Sequence, residues 1–316
     1  MASVDPLPRD LPTSGTPRSG EAAPPLVWKR ARVDGRPVVY GVAGEGHPAL
    51  FLHGWGLGQH TYKAVLARLA HLGTRVFAPA QPGFGGTPDL PGREFSLGGY
   101  ANWAGRFLEA VKVDEPALVV GHSFGGGVAI RLAHDRPDLV RALVLVNSIG
   151  GSAWNAGSVV KTLAERPIWD WGLHLRGDIL PLPQARKVLP VILEDALPNL
   201  VRNPRALWKV GQLARRADLT AELEELKQRG LPVVVLWGNR DTLIPRESFE
   251  AICRAAGTEG EVVEGTHSWL LADPETFGEV ITNVVDVAKV ARAMEQAGGS
   301  EPERRSRFRP LGHRGT

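Results

Sequence analysis

Sulfur is scarce in this chain, and its scarcity already excludes several kinds of protein. With Cys253 as the single cysteine in 316 residues, no internal disulfide can form. Packing and hydrogen bonds must hold the fold, and a reducing, cytoplasmic setting is expected. In "FEAICRAAG" Cys253 stands among small apolar residues with no histidine beside it, so it reads as a small hydrophobe on a helix face. No stretch reaches about 18 consecutive apolar residues, so no membrane-spanning helix is expected. The opening "MASVDPLPRDLPTSGTPRSG" lacks a basic stretch followed by an apolar core, and no secretory leader is expected there.

The body also lacks any charge imbalance. The formal net charge is +3, and residues 301–316 account for all of it, with Arg304, Arg305, Arg307, Arg309 and Arg314 set against Glu301 and Glu303. No basic stripe or nucleic-acid motif remains elsewhere, so nucleic acid is not an expected partner. No His, Cys and Asp grouping has metal-ligand spacing, and no metal is expected. "GEGHPA" at 44–49 matches G-x-G-x-x-A but precedes a strand, whereas a dinucleotide fingerprint follows one. No cofactor is expected either.

What the chain does have is length and apolar content, 43% hydrophobic, enough for one large α/β domain with an insertion. Short apolar runs alternate with amphipathic segments, the pattern of a mostly parallel sheet covered by helices on both faces. Strands are expected at 36–43, 49–54, 75–80, 117–122, 142–148, 232–238 and 260–265, and helices at 62–72, 96–113, 126–137, 221–228 and 277–296. Ser96 is the expected N-cap of the second helix. Residues 150–220 break the rhythm with prolines, short helical pieces and Trp154, Trp169, Trp171 and Trp208, and read as a helical cap. The expected organisation is a disordered tail (1–25), a first core part (26–149), the cap, a second core part (221–295) and a basic disordered tail (296–316).

The candidate site starts at "ALVVGHSFGGGVAI", residues 117–130. Gly121-His122-Ser123-Phe124-Gly125 is G-x-S-x-G between an apolar strand and a helix, where a sharp turn exposes the serine hydroxyl and its neighbours must lack side chains. A serine needs a base to take its proton, and the base needs a group to orient it. His267 in "VVEGTHSWLLADPE" and Asp241 in "VVVLWGNRDTLIP" follow the last two expected strands. The chain order Ser123, Asp241, His267 is the one this architecture uses. Should Asp241 not be the acid, Asp178 and Asp195 are the next to test. "HGWG" after the second expected strand would set the backbone N–H of Trp55 opposite that of Phe124 as an oxyanion hole. His53 reads as a brace for that loop, and His122 as facing away from Ser123. Trp55, Phe124, Trp154, Trp169, Trp171 and Trp269 are the expected apolar wall around a small-molecule substrate.

"HGWG", "GHSFGG", "WGNRDTLIP" and "GTHSWLLADPE" resemble the signature loops of the α/β-hydrolase superfamily over about residues 28–292. The resemblance implies an eight-stranded sheet with a helical cap after the sixth strand. It also implies Ser123 as nucleophile, Asp241 as acid, His267 as base, and the N–H groups of Trp55 and Phe124 as the oxyanion hole. Serine at the elbow argues against dehalogenases and epoxide hydrolases, which carry aspartate there. "APAQPGFGG" has Ala80 where many relatives have aspartate, which puts the bracing of that loop in question.

The expected activity is hydrolysis of a carboxylic ester of a small, largely apolar substrate through an acyl-enzyme. Perhydrolase or haloperoxidase, carbon–carbon hydrolase, thioesterase and lactonase chemistry use the same triad. A ligand-binding receptor on a hydrolase scaffold is the alternative from another class, and monomer and homodimer are equally compatible. Because the arginine tail has no apolar face to dock, removing residues 301–316 is expected to leave the melting temperature and any ester turnover unchanged within error, as measured by thermal melts and steady-state kinetics of the truncated chain.

Overall fold

Along the central strands, neighbouring side chains enter two different cores. In β3 (His47–Leu52), Leu50 and Leu52 face one side and Ala49 and Phe51 the other, and all four are buried. β5 (Ala117–His122) and β6 (Val140–Val146) repeat the pattern, with Val119, Leu143 and Leu145 against Leu118, Val120, Val144 and Val146. A strand covered on both faces reads as a continuous apolar run, which is why these segments stand out in the sequence.

The computed structural model describes residues 25–151 and 185–283. The remaining strands are β1 (Val27–Val33), β2 (Arg36–Ala43), β4 (Thr74–Pro79), β7 (Val233–Gly238) and β8 (Glu261–Val263). They form one eight-stranded sheet in the order β1-β2-β4-β3-β5-β6-β7-β8. β2 pairs antiparallel with β1 and β4, and every other pairing is parallel. On one face lie α2 (Leu97–Ala110), α3 (Phe124–Asp135), α6 (Thr220–Gln228) and α7 (Arg246–Ala256), with Phe107, Val128, Leu223 and Ile252 in the shared core. On the other lie α1 (Lys63–His71), α8 (Trp269–Ala272) and a helical stretch at 274–283, contributing Leu66, Leu69, Leu270 and Phe277.

Ser96 caps α2, its hydroxyl accepting from the Gly99 N–H at 3.0 Å. Cys253 is buried in α7, and burial pushes its thiol up to about 11. It is core, as expected.

Three features differ from the sequence reading. β1 was not expected, because VWKRARV is mostly solvent-facing and carries cations at positions 29, 30 and 32. This edge strand has one shielded side and therefore no apolar run. β6 stops at Val146 rather than residue 148, because Asn147 turns into the left-handed region (φ 45°). α7 fell outside the expected helices, although its Cys253 had been read as helical.

Within the interval expected to form the cap, α4 (Ala185–Arg202) and α5 (Pro204–Arg215) are helical and reach the loops at the carboxyl edge of the sheet. The parallel strands bring the ends of β3, β5, β6, β7 and β8 to that same edge. The cores hold α3 hard against β3. A Cβ added to Gly125 would lie 2.2 Å from the Leu52 carbonyl oxygen, which is backbone and has nowhere to retreat. Gly125→Ala is therefore expected to destabilise the protein by about 1–3 kcal/mol or more, by overpacking, read as a lowered urea midpoint.

Candidate active site

Strand β5 ends at His122 and α3 begins at Phe124, so the reversal falls on Ser123 alone, at φ 53° and ψ −117°. A non-glycine residue there is strained, and its neighbours must hold it in place. The Ser123 N–H donates to the Val146 carbonyl at 3.0 Å, and its own carbonyl accepts from Gly126 N at 3.0 Å and Ile149 N at 3.3 Å. A Cβ on Gly121 would lie 2.5 Å from the Gly125 carbonyl oxygen. The glycines around the serine are there because strand and helix approach too closely for side chains.

Asp241 lies in the turn after β7, and its carboxylate has four donors. Oδ1 accepts from the Leu243 and Ile244 N–H groups at 2.7 and 2.9 Å. Oδ2 accepts from Asn147 Nδ2 at 2.5 Å and from His267 Nδ1 at 2.8 Å. The Asp241 side chain is fully buried and that of His267 is 6% exposed. An Nδ1–H bound to a carboxylate leaves Nε2 unprotonated in the neutral ring, the tautomer a general base requires.

A cavity of about 30 Å³ opens beside Ser123 and His267, walled in part by Trp55, Leu57, Leu243 and Ile244. Clefts of about 470 and 500 Å³ open elsewhere on the surface, and neither reaches Ser123.

The expected apolar wall is only partly there. Trp55 borders the cavity, and its Nε1–H donates to the Leu207 carbonyl on α5 at 2.7 Å. Phe124 is corrected: it is fully buried, edge-on to Tyr100 with ring centroids 5.2 Å apart, and borders no part of this cavity. Trp269 is corrected: its ring is 2% exposed, borders no part of this cavity, and donates from Nε1 to Asn147 Oδ1 at 2.8 Å. A buried indole N–H must find an acceptor, and this one found it behind the acid. Trp154, Trp169, Trp171 and Asp178 lie outside the described residues. Asp195, the other alternative acid, is bonded to Thr61 and does not contact His267.

Two further histidines act as neutral connectors. His53 Nδ1–H donates to the Gly54 carbonyl at 2.9 Å and its Nε2 accepts from Gln81 N at 2.9 Å, so it braces the loop as expected. Gln81 Nε2 also donates to the His53 carbonyl, and Tyr100 donates to Pro82. These bonds brace the segment where Ala80 replaces the expected aspartate. His122 was expected to face away from Ser123, yet its ring borders the same cavity, 5.0 Å from that of His267. Its Nε2–H donates to the His267 carbonyl at 3.1 Å, so Nδ1 accepts from the Tyr62 hydroxyl at 2.7 Å. Tyr62 in turn accepts from Gly54 N at 3.1 Å. A single chain of bonds therefore links the loop after β3, the elbow and the histidine loop.

Tyr62 and Asn147 were not among the expected site residues. The one signal for Asn147 is a polar residue directly after the apolar run of β6.

The chain matches the alpha/beta hydrolase family over residues 49–280. It belongs to that family. A pimeloyl-[acyl-carrier protein] methyl ester esterase of Neisseria meningitidis is 28% identical over 254 residues, 74% of this chain and 91% of that protein. A protein of Mycobacterium phage D29 named for non-heme haloperoxidase activity is 30% identical over 261 residues, 78% of this chain and 91% of that one. Among solved structures, a serine hydrolase involved in carbazole degradation aligns with a TM-score of 0.66 at 22% identity, covering 83% of this chain and 100% of that one. This alpha/beta hydrolase is an enzyme by family, and no described helix is long and apolar enough to cross a membrane.

The connecting histidines give the hydrolase a pH signature. Burial drives His53 down to about 4 and His122 to about 3. Histidines of the unfolded chain take up protons near pH 6.5. Between that pH and about 4 the unfolded state therefore binds more protons, and stability falls as pH is lowered. In urea titrations from pH 6 to 4, His122→Gln is expected to reduce this slope by about 1.4 kcal/mol per pH unit. An unchanged slope would mean that His122 is protonated in the folded protein.

Proposed function

We propose that this enzyme cleaves a carboxylic ester of a small, largely apolar substrate through a covalent acyl-enzyme. One observation carries the reading: a strained, partly exposed serine borders the same cavity as a histidine whose Nδ1 is bonded to a buried carboxylate. In this reading His267 takes the Ser123 proton as the hydroxyl oxygen bonds to the substrate's carbonyl carbon. The backbone N–H groups of Trp55 and Phe124 stabilise the oxyanion, and the start of α3 is suited to this because its first amides lack intrahelical acceptors. His267 then returns the proton to the departing alkoxide. Water, activated by the same ring, releases the acid and restores Ser123. Asp241 fixes the tautomer and stabilises the imidazolium.

The substrate class rests on the wall. Trp55, Leu57, Leu243 and Ile244 offer no charged partner to an acyl or aryl group, and an unpaired charge would lose its hydration there. A reducing, cytoplasmic setting is part of this reading and is supported by the single cysteine. Perhydrolysis is the second reading, favoured by the phage relative's name. It would use the same acyl-enzyme with peroxide in place of water.

A fluorophosphonate probe and a chain-length series of nitrophenyl esters test the proposal. Ser123→Ala is expected to abolish both labelling and turnover with the fold intact. Asp241→Asn is expected to lower kcat by on the order of 10⁴, since the imidazole would take the wrong tautomer. Full turnover by Ser123→Ala, or a preference for charged esters, would overturn the reading.

A further inference from the structure

Helix α4 turns polar residues toward the body of the protein. Asp195 and Asn199 are one turn apart and 7% and 6% exposed, while Leu193, Leu197 and Leu200 on the same helix are 40–52% exposed. Buried polar side chains need partners, and theirs lie almost entirely in the loop that follows β3.

Asn199 Nδ2 donates to the carbonyls of Gly56 and Leu57, both at 3.1 Å, and its Oδ1 accepts from Gly85 N at 3.0 Å. Asp195 Oδ2 accepts from the N–H and the hydroxyl of Thr61, both at 2.8 Å. From α5, the Leu207 carbonyl takes the indole N–H of Trp55. On the other side of the loop, the Gly54 N–H is held by Tyr62. Every residue from 54 to 57 is therefore anchored, and Trp55, whose amide is assigned to the oxyanion, sits at the centre.

We propose that Asn199 is a positioning residue of the oxyanion hole. It holds the Gly56–Leu57 backbone so that the preceding Trp55 N–H points at the oxyanion, and it does so from α4. The donor pair is then complete only while α4 and α5 are seated on the loop. Gly56, at φ 75°, is the flexible point: glycine reaches other conformations readily once its carbonyl is released. The inference rests on the ester-hydrolase reading, because it assigns a duty within that chemistry.

The test separates positioning from mere attachment of the helices. A boronic acid forms a tetrahedral adduct in which the serine oxygen bonds to boron and the serine proton passes to His267. Its affinity therefore reports the oxyanion donors. Asn199→Leu keeps the branched four-atom side chain and removes all three bonds. It is expected to lower kcat about tenfold to a hundredfold, below the 10²–10³ seen when an oxyanion donor is lost outright. Boronate affinity is expected to fall in parallel and the ester KM to stay within about threefold.

Should Asn199→Leu fail to fold, Asn199→Ala removes the same three bonds without adding bulk. It is expected to show the same parallel loss. Wild-type kcat and boronate affinity in a folded variant, with only KM or melting temperature changed, would overturn the inference and leave the hydrolase reading standing. If the wild-type protein takes neither fluorophosphonate nor boronic acid at Ser123, the hydrolase reading fails and this inference fails with it.

Discussion

The reversal at Ser123 is the constraint on which the other arrangements depend. A left-handed backbone on a residue with a side chain costs on the order of 1–3 kcal/mol, so it lasts only where its surroundings leave no other choice. Here the surroundings are two strands and a helix. Ser123 N is tied to the end of β6, its carbonyl is tied to Gly126 and Ile149, and α3 lies so close to β3 that Gly125 has no room for a Cβ. The strain is therefore borne by the whole centre of the sheet. Its result is a hydroxyl at the carboxyl edge, where the loops after β3, β7 and β8 also emerge.

Bringing four loops to one edge leaves many buried polar groups, and the structure uses them to tie the loops together. Tyr62 and His122 join the loop after β3 to the elbow and the His267 backbone. Asn147 joins the end of β6 to Asp241 and, through Trp269, to the histidine loop. A buried polar group left without a partner costs about 1–3 kcal/mol, so each tie also makes displacement of its loop unfavourable. Few of these groups border the cavity. Their contribution to the proposed chemistry is precision of placement, which matters because a catalytic donor or base displaced by an ångström loses much of its effect.

Which parts were legible follows from the range over which each feature is determined. G-x-S-x-G is local: strand, turn and helix are written in fourteen residues, and the sharp turn at Ser123 could be read from them. Asp241 and His267 each follow an expected strand, so strand ends sufficed to place them at one edge, where their side chains meet. β1 could not be seen because an edge strand rich in Lys and Arg carries no apolar run. Asn147, Tyr62 and Asn199 act only through partners far away in the chain, Asp241, His122 and Gly56, and no local pattern announces such pairings. The aromatic wall was over-read for a related reason. A tryptophan near a site reads as lining it, but Trp269 is positioned by the acceptor its N–H requires.

Electrostatics connects the neutral histidines to the cavity. A second imidazole, that of His122 at 5.0 Å from His267, would, if charged, oppose the imidazolium that the proposed chemistry forms there. His122 is held neutral chiefly by burial, with the nearby His267 pushing the same way. His53, between Gly54 and Gln81, is likewise neutral. The buried charge facing His267 is therefore the Asp241 carboxylate, already satisfied by three other donors. Those donors hold the carboxylate in one orientation, with Oδ2 toward the His267 Nδ1–H. In the proposed chemistry the apolar wall lowers the local polarity around Ser123, so backbone N–H groups directed at a developing oxyanion would act with little screening by water. Apolar lining, neutral connectors and the buried Asp241 carboxylate would then serve one end in the proposed acyl transfer: the charge that appears meets groups arranged to receive it.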